Sequence, residues 1–200
     1  ESPTHLSGAC DVFDRITAGE PTFALIEAPP RHAKTETAIH GAVRALKTNP
    51  RWRVGYTTHT ADLAKDKSRE AREVALRCGL WASETRDVAK RFDPAASVRL
   101  WETDQRGSFM ALGRGGKPIG RGFNLLVVDD PFGSLEDAES QTIRDMVWRW
   151  YTGTLFSRLE PGASLVVIHQ RWHDDDLIGR IREQARTEPN APDWIDVSLP

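Results

Sequence analysis

Two pairs of neighbouring residues have side chains suited to phosphate chemistry. Lys34 and Thr35 stand where a short apolar run and a loop give way to apolar residues at helical spacing. Backbone N–H groups of such a loop bind anions, the lysine reaches terminal phosphates and the hydroxyl can coordinate Mg²⁺. Asp129 and Asp130 directly follow an unbroken apolar run, and carboxylates there suit a Mg²⁺ contact and the polarisation of a water molecule. These four residues imply a nucleoside triphosphate as the ligand.

The loop before Lys34 departs from the usual phosphate-binding pattern. That pattern is G-x-x-x-x-G-K-[ST], and alanines, Ala28 and Ala33, stand at both of its glycine positions. On this segment alone, a strand, loop and helix with an incidental Lys-Thr pair explains the sequence equally well. Adjacent acids after a strand are also common as helix caps, but Asp129-Asp130 together with the loop favour a P-loop NTPase. We therefore predict ATP and Mg²⁺ as the bound species.

Strands and helices are predicted to alternate around these residues. We predict a lead-in helix over residues 4–19, followed by alternating strands and helices. The predicted strands cover residues 23–26, 53–58, 98–102, 108–112, 124–128, 164–168 and 194–199. The other predicted helices begin near residues 34, 61, 136 and 177, and the one from 136 to 149 is expected to turn Ala138, Ile143, Met146 and Val147 inward.

The two strands with unbroken apolar runs, 124–128 and 164–168 after their first residues, indicate the fold class. Such a strand is buried on both faces, as in a parallel sheet covered by helices. Residues 98–102 and 108–112 are separated by a short turn and suit an antiparallel pair at the sheet edge. We predict an α/β protein with a mainly parallel central sheet flanked by helices, whose ligand binds at the carboxyl ends of the strands.

The composition is that of an ordinary globular protein. The chain has 200 residues, of which 39% are hydrophobic and 28% charged, and its formal net charge is -2. These values fit one compact domain and argue against a disordered chain or one that coats nucleic acid electrostatically. We find neither a secretory signal pattern nor an apolar run long enough for a bilayer, and we expect a cytoplasmic protein that is not secreted. Cys10 and Cys78 lack metal-type spacing, so we expect plain thiols.

Three further segments carry polar or aromatic residues with two interpretations each. The acids at 174–176 could form a nuclease-like metal cluster, but caps of the following helix explain them sufficiently. Trp148 and Trp150 could stack on DNA bases, although core packing or a subunit contact is the better interpretation. The glycine-rich loop 113–122 could bring Arg114 and other basic residues to phosphate, or could be a solvated connection.

Four segments, taken together and in order, resemble the large terminase subunit of tailed bacteriophages, the ATP-driven motor that packages DNA into procapsids. They are A-P-P-R-H-A-K-T-E, G-R-G-F-N-L-L-V-V-D-D-P, A-E-S…W-R-W-Y…S-R-L-E-P-G-A and Q-R-W-H-D-D-D-L-I-G-R. The resemblance implies an additional-strand, RecA-like P-loop ATPase core. It also implies that residues 1–200 are a single motor domain and that the family's C-terminal nuclease domain is not present in this chain.

The resemblance also assigns roles to individual residues. Those implied to be catalytic are Asp130, Lys34, Arg31 and Arg121. Those implied to bind the nucleotide, in the Walker A loop, are Pro30, Arg31, His32, Ala33, Lys34, Thr35 and Glu36. Metal contacts are implied for Thr35 and for the Walker B residue Asp129. Gln170 matches a coupling or sensor position that more usually carries threonine, and Arg121, then Arg114, are the candidates for an arginine finger that acts on a neighbouring subunit.

The partners implied by the resemblance are double-stranded DNA, the portal protein and the small terminase subunit. The motor is expected to assemble as a ring, usually a pentamer on the procapsid, in the host cytoplasm at the portal vertex, and to have no membrane partner. Two alternatives stay open. One is a helicase-type P-loop ATPase, and the other is an assembly module whose nucleotide binding is weakened by Ala33, because alanine is strained wherever the backbone requires positive φ.

Overall fold

The computed structural model describes residues 4–80, 96–118, 120 and 122–199. Arg121 therefore lies outside the described residues, and its predicted role is not addressed by the structure. The helices are α1 (Ser7–Thr17), α2 (Lys34–Thr48), α3 (Ala61–Arg77), α4 (Ala96–Arg99), α5 (Leu135–Glu139), α6 (Gln141–Trp150) and α7 (Leu177–Thr187). The strands are β1 (Phe23–Glu27), β2 (Arg53–Thr58), β3 (Leu100–Glu102), β4 (Ser108–Gly113), β5 (Phe123–Asp129), β6 (Leu159–His169) and β7 (Trp194–Ser198).

In the described part of the chain, the strands form one seven-stranded sheet in the order β3-β4-β2-β5-β6-β1-β7. Every neighbouring pair is parallel except β3 and β4, which form the predicted antiparallel edge. Strand β6 lies between β1 and β5, so it separates the strand before the phosphate loop from the strand that ends in Asp129. This insertion confirms the predicted additional-strand arrangement.

Helices cover both faces of the sheet, as the apolar strands predict. On one face α1, α2 and α3 pack over Ile26, Val127 and Val166. On the other face α5, α6 and α7 pack over Val128 and Val167. Because β1, β2, β5 and β6 are parallel, the polar groups at their carboxyl ends are brought together along one edge of the sheet. Within the described residues, no helix is long and apolar enough to cross a membrane.

The single helix predicted from 136 to 149 is wrong, because the structure contains two helices there. Ser140 separates α5 from α6, and its hydroxyl accepts a hydrogen bond from the Ile143 N–H, so it serves as the N-cap of α6. Met146 is 41% exposed rather than turned inward. The chain continues after α6 as a π-helical turn, Tyr151–Leu155, and a short 3₁₀ turn, Phe156–Arg158.

Two predicted strand limits also change. Strand β6 begins at Leu159 and not at 164, because its partner register jumps from Leu159 to Ser164 while β5 advances from Phe123 to Leu125. The extra residues form an irregularity that a period-two pattern does not reveal. Residues 98 and 99 belong to the short helix α4, and β3 begins only at Leu100.

Candidate nucleotide site

The loop between β1 and α2 contains two residues with left-handed backbone. Arg31 has a φ of 64°, and Ala33, the residue before α2, has a φ of 54° and a ψ of 24°. Glycine adopts this conformation without steric cost, whereas alanine does not. Ala28 is not among the residues with positive φ; it is buried, and its N–H donates to the carbonyl oxygen of His169 at 3.3 Å. The two alanines at the glycine positions of the pattern therefore differ in backbone strain. Ala33 is held in a left-handed conformation, and Ala28 is not.

Lys34 is the first residue of α2, and it faces the acid pair after β5. Its ammonium lies 3.0 Å from Oδ2 of Asp130, and the lysine side chain is only 10% exposed. Oδ1 of Asp130 accepts a hydrogen bond from the backbone N–H of Gln170 at 3.4 Å. The backbone of Asp130 is held as well, by its N–H donating to the Ile168 carbonyl at 3.0 Å. The structure thus joins the predicted lysine, the predicted acid and the predicted coupling position in one cluster.

Asp129 is 2% exposed and has unequal surroundings at its two oxygens. Oδ2 accepts a hydrogen bond from the Tyr56 hydroxyl at 2.6 Å, whereas Oδ1 has no hydrogen-bond partner among the described residues. Burial, followed by the charge of Asp130, raises the pKa of Asp129 to about 6, against the opposing effects of Tyr56, Thr35 and Lys34. A buried carboxylate oxygen without a partner is costly unless it coordinates a ligand.

The same oxygen fits the Mg²⁺ site expected from the sequence. Thr35 lies close enough to Asp129 for its hydroxyl to lower the pKa of that carboxyl. The described residues contain no group of three or more histidine, cysteine, aspartate or glutamate residues that could enclose a metal. Mg²⁺ does not need such a cage, because it retains waters and commonly binds one or two protein oxygens together with substrate phosphates. Thr35 and Asp129 would supply those protein oxygens.

The remaining predicted loop residues surround the start of α2. Pro30 and Arg31 are exposed, and Glu36 is an exposed acid in the first turn of α2. His32 contacts the Pro30 carbonyl through Nδ1 at 2.9 Å, and its ring meets that of His5 edge-on with the centroids 5.7 Å apart. The lead-in segment therefore reaches the phosphate loop.

Arg114 lies on the opposite side of the acid pair from Lys34 in the sheet order, just after β4. Its guanidinium donates to the Asp137 carboxylate at 2.8 Å and to the Pro131 carbonyl at 3.4 Å, and its side chain is 19% exposed. Arg114 thus forms an ion pair within its own chain.

Tyr56 and His59 were missed by the sequence analysis. Tyr56 donates to Asp129, and Nδ1 of His59 lies 3.2 Å from the backbone carbonyl oxygen of Asp130. Burial, followed by the negative charge of Asp129, raises the pKa of Tyr56 well above its usual value, so the hydroxyl stays a donor. Both residues reach the acid pair because β2 pairs with β5 in the sheet. No local pattern in the sequence marks that pairing.

Two of the acids at 174–176, Asp175 and Asp176, make structural contacts around the start of α7. The Asp176 side chain is fully buried, accepts a hydrogen bond from Gly179 N–H at 3.0 Å and pairs with Arg171 at 2.8 Å. Asp175 pairs with Arg144 and Arg180. These contacts agree with the helix-cap interpretation.

Trp150 is packed in the core, which agrees with the core-packing interpretation. It is 6% exposed and donates its indole N–H to the Gly116 carbonyl at 3.0 Å.

The strand order, the loop before α2 and the acid pair after β5 define the fold as that of an additional-strand P-loop NTPase. Among solved structures, the chain is similar to a point-mutant form of the large terminase ATPase domain of Thermus phage P74-26. The superposition has a TM-score of 0.55, covers 94% of this chain and 79% of that chain, and has 15% sequence identity. Likeness at this identity shows that the two share a fold. No family model matches the chain, and neither does any curated protein sequence.

Proposed function

We propose that this chain is an ATPase that hydrolyses ATP to ADP and phosphate. The observation that carries the proposal is the cluster of Lys34, Asp130 and Asp129 at the end of the phosphate loop. A lysine at a helix start and two acids after a second buried strand, here β5, are the parts that P-loop enzymes use on a terminal phosphate. The buried, unpartnered Oδ1 of Asp129 supports a metal contact beside them.

In the proposed mechanism each side chain has a distinct task. Lys34 binds the terminal phosphates, with Arg31 and the rest of the loop around them. Asp130 orients a water molecule for in-line attack on the γ-phosphate. Thr35 and Asp129 would hold Mg²⁺, which would neutralise charge on the phosphates. The side-chain amide of Gln170 would sense the γ-phosphate, and its backbone N–H contacts Asp130.

We further propose that hydrolysis is completed by an arginine from a neighbouring subunit. Arg121 is the first candidate and Arg114 the second, although the ion pair of Arg114 with Asp137 would have to open first. An arginine at the transferring phosphoryl group contributes about 10³–10⁵ in rate, so an isolated monomer should hydrolyse ATP slowly. Self-association into a ring, a pentamer on the procapsid, would supply it.

The biological setting that we propose is the packaging of viral double-stranded DNA. The terminase resemblance of the four sequence segments and the shared fold with a terminase ATPase domain support it. Under this proposal residues 1–200 act as the motor domain of a large terminase subunit. The partners would be DNA, the portal protein and the small terminase subunit, at the portal vertex in the host cytoplasm.

The test is the ATPase rate measured against protein concentration, with and without portal and double-stranded DNA. We expect the rate per subunit to rise with concentration, and we expect Arg121→Ala to remove this rise. A Lys34→Ala variant serves as the control for contaminating ATPases. Hydrolysis equal in the wild type and in Lys34→Ala would overturn the proposed activity, whereas a rate per subunit independent of concentration would overturn only completion in trans.

A second candidate function is favoured by the backbone of Ala33. Its φ of 54° means that the loop holds alanine where glycine is unstrained. The chain would then be an assembly module that binds nucleotide poorly. The affinity for ATP of the wild type and of Ala33→Gly distinguishes the two functions. A large gain in the variant supports the weakened module, and equal affinities support the ATPase.

A further inference from the structure

Asp130 has an unusual backbone conformation for a residue at the reacting centre. Its φ is 44°, in the left-handed region that is sparsely populated for any residue with a side chain. Such a conformation persists only when surrounding contacts determine it. One of these contacts is the hydrogen bond from its N–H to Ile168 in β6. The other end of the same residue, its carbonyl group, points to β2.

The carbonyl oxygen of Asp130 meets the imidazole of His59. The distance to Nδ1 is 3.2 Å, and because a carbonyl oxygen only accepts, the contact requires a hydrogen on Nδ1. His59 follows directly after β2, the strand paired with β5, and it is half-buried. The His59 ring also packs against Gly133, three residues after Asp130. A Cβ on Gly133 would lie 2.9 Å from the imidazole Cδ2.

The loop that continues from Asp130 is fixed from its other side by an ion pair. Arg114 donates to the Pro131 carbonyl and to the Asp137 carboxylate, and that carboxylate accepts the Gly133 N–H at 3.2 Å. The segment after Asp130 is thus restrained on both sides. Of these restraints, the contact from His59 is the one made to the backbone carbonyl of Asp130 itself.

We propose that His59 is a positioning residue for ATP hydrolysis, which holds the backbone of Asp130 so that its carboxylate faces the attacking water. This inference rests on the proposed ATPase function. His59 acts through Asp130 and does not itself touch phosphate. Its removal should therefore lower kcat and leave KM for ATP nearly unchanged, because the lysine and the loop that bind the nucleotide are not disturbed. A misplaced group of this kind costs on the order of 10²-fold in rate.

Three substitutions in the whole 200-residue chain separate the hydrogen bond from the shape of the ring. His59→Phe keeps a ring without the donor. His59→Asn places its amide nitrogen at the position of Nδ1, and His59→Gln places its amide nitrogen one bond farther out. We expect kcat to fall about 10- to 100-fold in His59→Phe and His59→Gln, and to stay within about threefold of wild type in His59→Asn.

The outcomes also distinguish failure of this inference from failure of the proposed function. Lys34→Ala and Asp130→Asn are measured in parallel, and thermal unfolding checks that each variant is folded. If these two variants lose hydrolysis while His59→Phe retains wild-type kcat, the positioning role is overturned and the ATPase stands. Loss in His59→Asn as large as in His59→Phe also overturns it, because the donor then does not matter. Wild-type rates in Lys34→Ala and Asp130→Asn overturn the function itself.

Discussion

The ammonium of Lys34 lies 3.0 Å from Oδ2 of Asp130. The side chain proposed to bind the terminal phosphates and the side chain proposed to orient the attacking water therefore form an ion pair with each other. The lysine is the first residue of α2, and the aspartate directly follows β5. Their ion pair therefore joins the phosphate loop to the acid end of the site across β6, which lies between the two strands. A phosphate that binds Lys34 has to compete with Asp130 for it.

This competition makes a specific prediction for Asp130→Asn. We expect turnover to fall by about 10²–10⁴-fold, because the variant cannot polarise water, while ATP affinity is retained or rises because the amide competes less for Lys34. Single-turnover phosphate release and titration with a fluorescent ATP analogue measure the two effects separately. Undiminished hydrolysis would remove Asp130 from the mechanism, and lost binding would show that the carboxylate is needed to organise the loop.

The two alanines of the loop should respond oppositely to glycine. Ala33→Gly relieves the left-handed strain and should raise the free energy of unfolding by about 0.5–1 kcal/mol after the entropy cost of glycine is subtracted. Ala28→Gly is the matched control. Its backbone is not left-handed, so only the entropy cost and the lost methyl packing remain, and it should destabilise the protein. Urea unfolding at constant temperature tests both, and stabilisation by both would show that positive φ is not the cause.

Asp129 gives the stability a pH dependence whose sign is opposite to that of an ion-paired acid. Its pKa is raised from 3.8 to about 6 in the folded chain, mainly by burial, so ionisation opposes folding. Its contribution is full below about pH 4, is lost as the pH rises towards 6 and is constant above that. This rise in pKa corresponds to about 3 kcal/mol.

Comparison with Asp129→Asn isolates this effect from other groups. Burial lowers the pKa of His169, which favours folding at higher pH and opposes the Asp129 effect in the wild type, but it acts equally in the variant. Without Mg²⁺, we expect Asp129→Asn to be more stable than wild type, by a margin that grows between about pH 4 and pH 6. Thermal unfolding across this range measures the margin. A margin independent of pH would show that Asp129 is not the titrating group.

Arg144 should be a structural arginine, in contrast to the arginines near the phosphate loop. Its guanidinium donates to the carbonyls of Ala138 and Glu139 at the end of α5, and it pairs with Asp175 before α7. Arg144→Met should cost about 1–3 kcal/mol, because the carbonyl groups lose their donor.

The matched control for Arg144→Met is Arg186→Met. Arg186 is 76% exposed and forms an ion pair with Glu183 on the same helix, so its loss should change stability by less than about 0.5 kcal/mol. Chemical denaturation gives both values. Equal effects from the two substitutions would show that burial and carbonyl contacts do not decide the role of Arg144.

Local sequence was sufficient for most of the elements and for the residue types of the site. The limits of β2 and α3 follow from short-range periodicity, and Lys34 and Asp129 stand at element ends that the sequence marks clearly. The break at Ser140 was missed, because a capping serine inside an amphipathic pattern resembles an ordinary polar position on a helix. The irregularity in β6 was missed because its register depends on β5.

The residue types of the loop before α2 and of the acid pair after β5 can be read from the chain directly, since each is encoded within a few consecutive residues. How the two segments meet follows only from the folded sheet. The sheet order places β6 between β1 and β5 and β2 on the far side of β5, and this order brings Tyr56 to Asp129 across 73 positions and His59 to Asp130 across 71. The physical reason is that strand pairing depends on long-range backbone hydrogen bonds and core packing, which local periodicity does not specify. The backbone strain at Ala33 is likewise a property of the folded chain, because the path of the loop between β1 and α2 sets the φ of this residue.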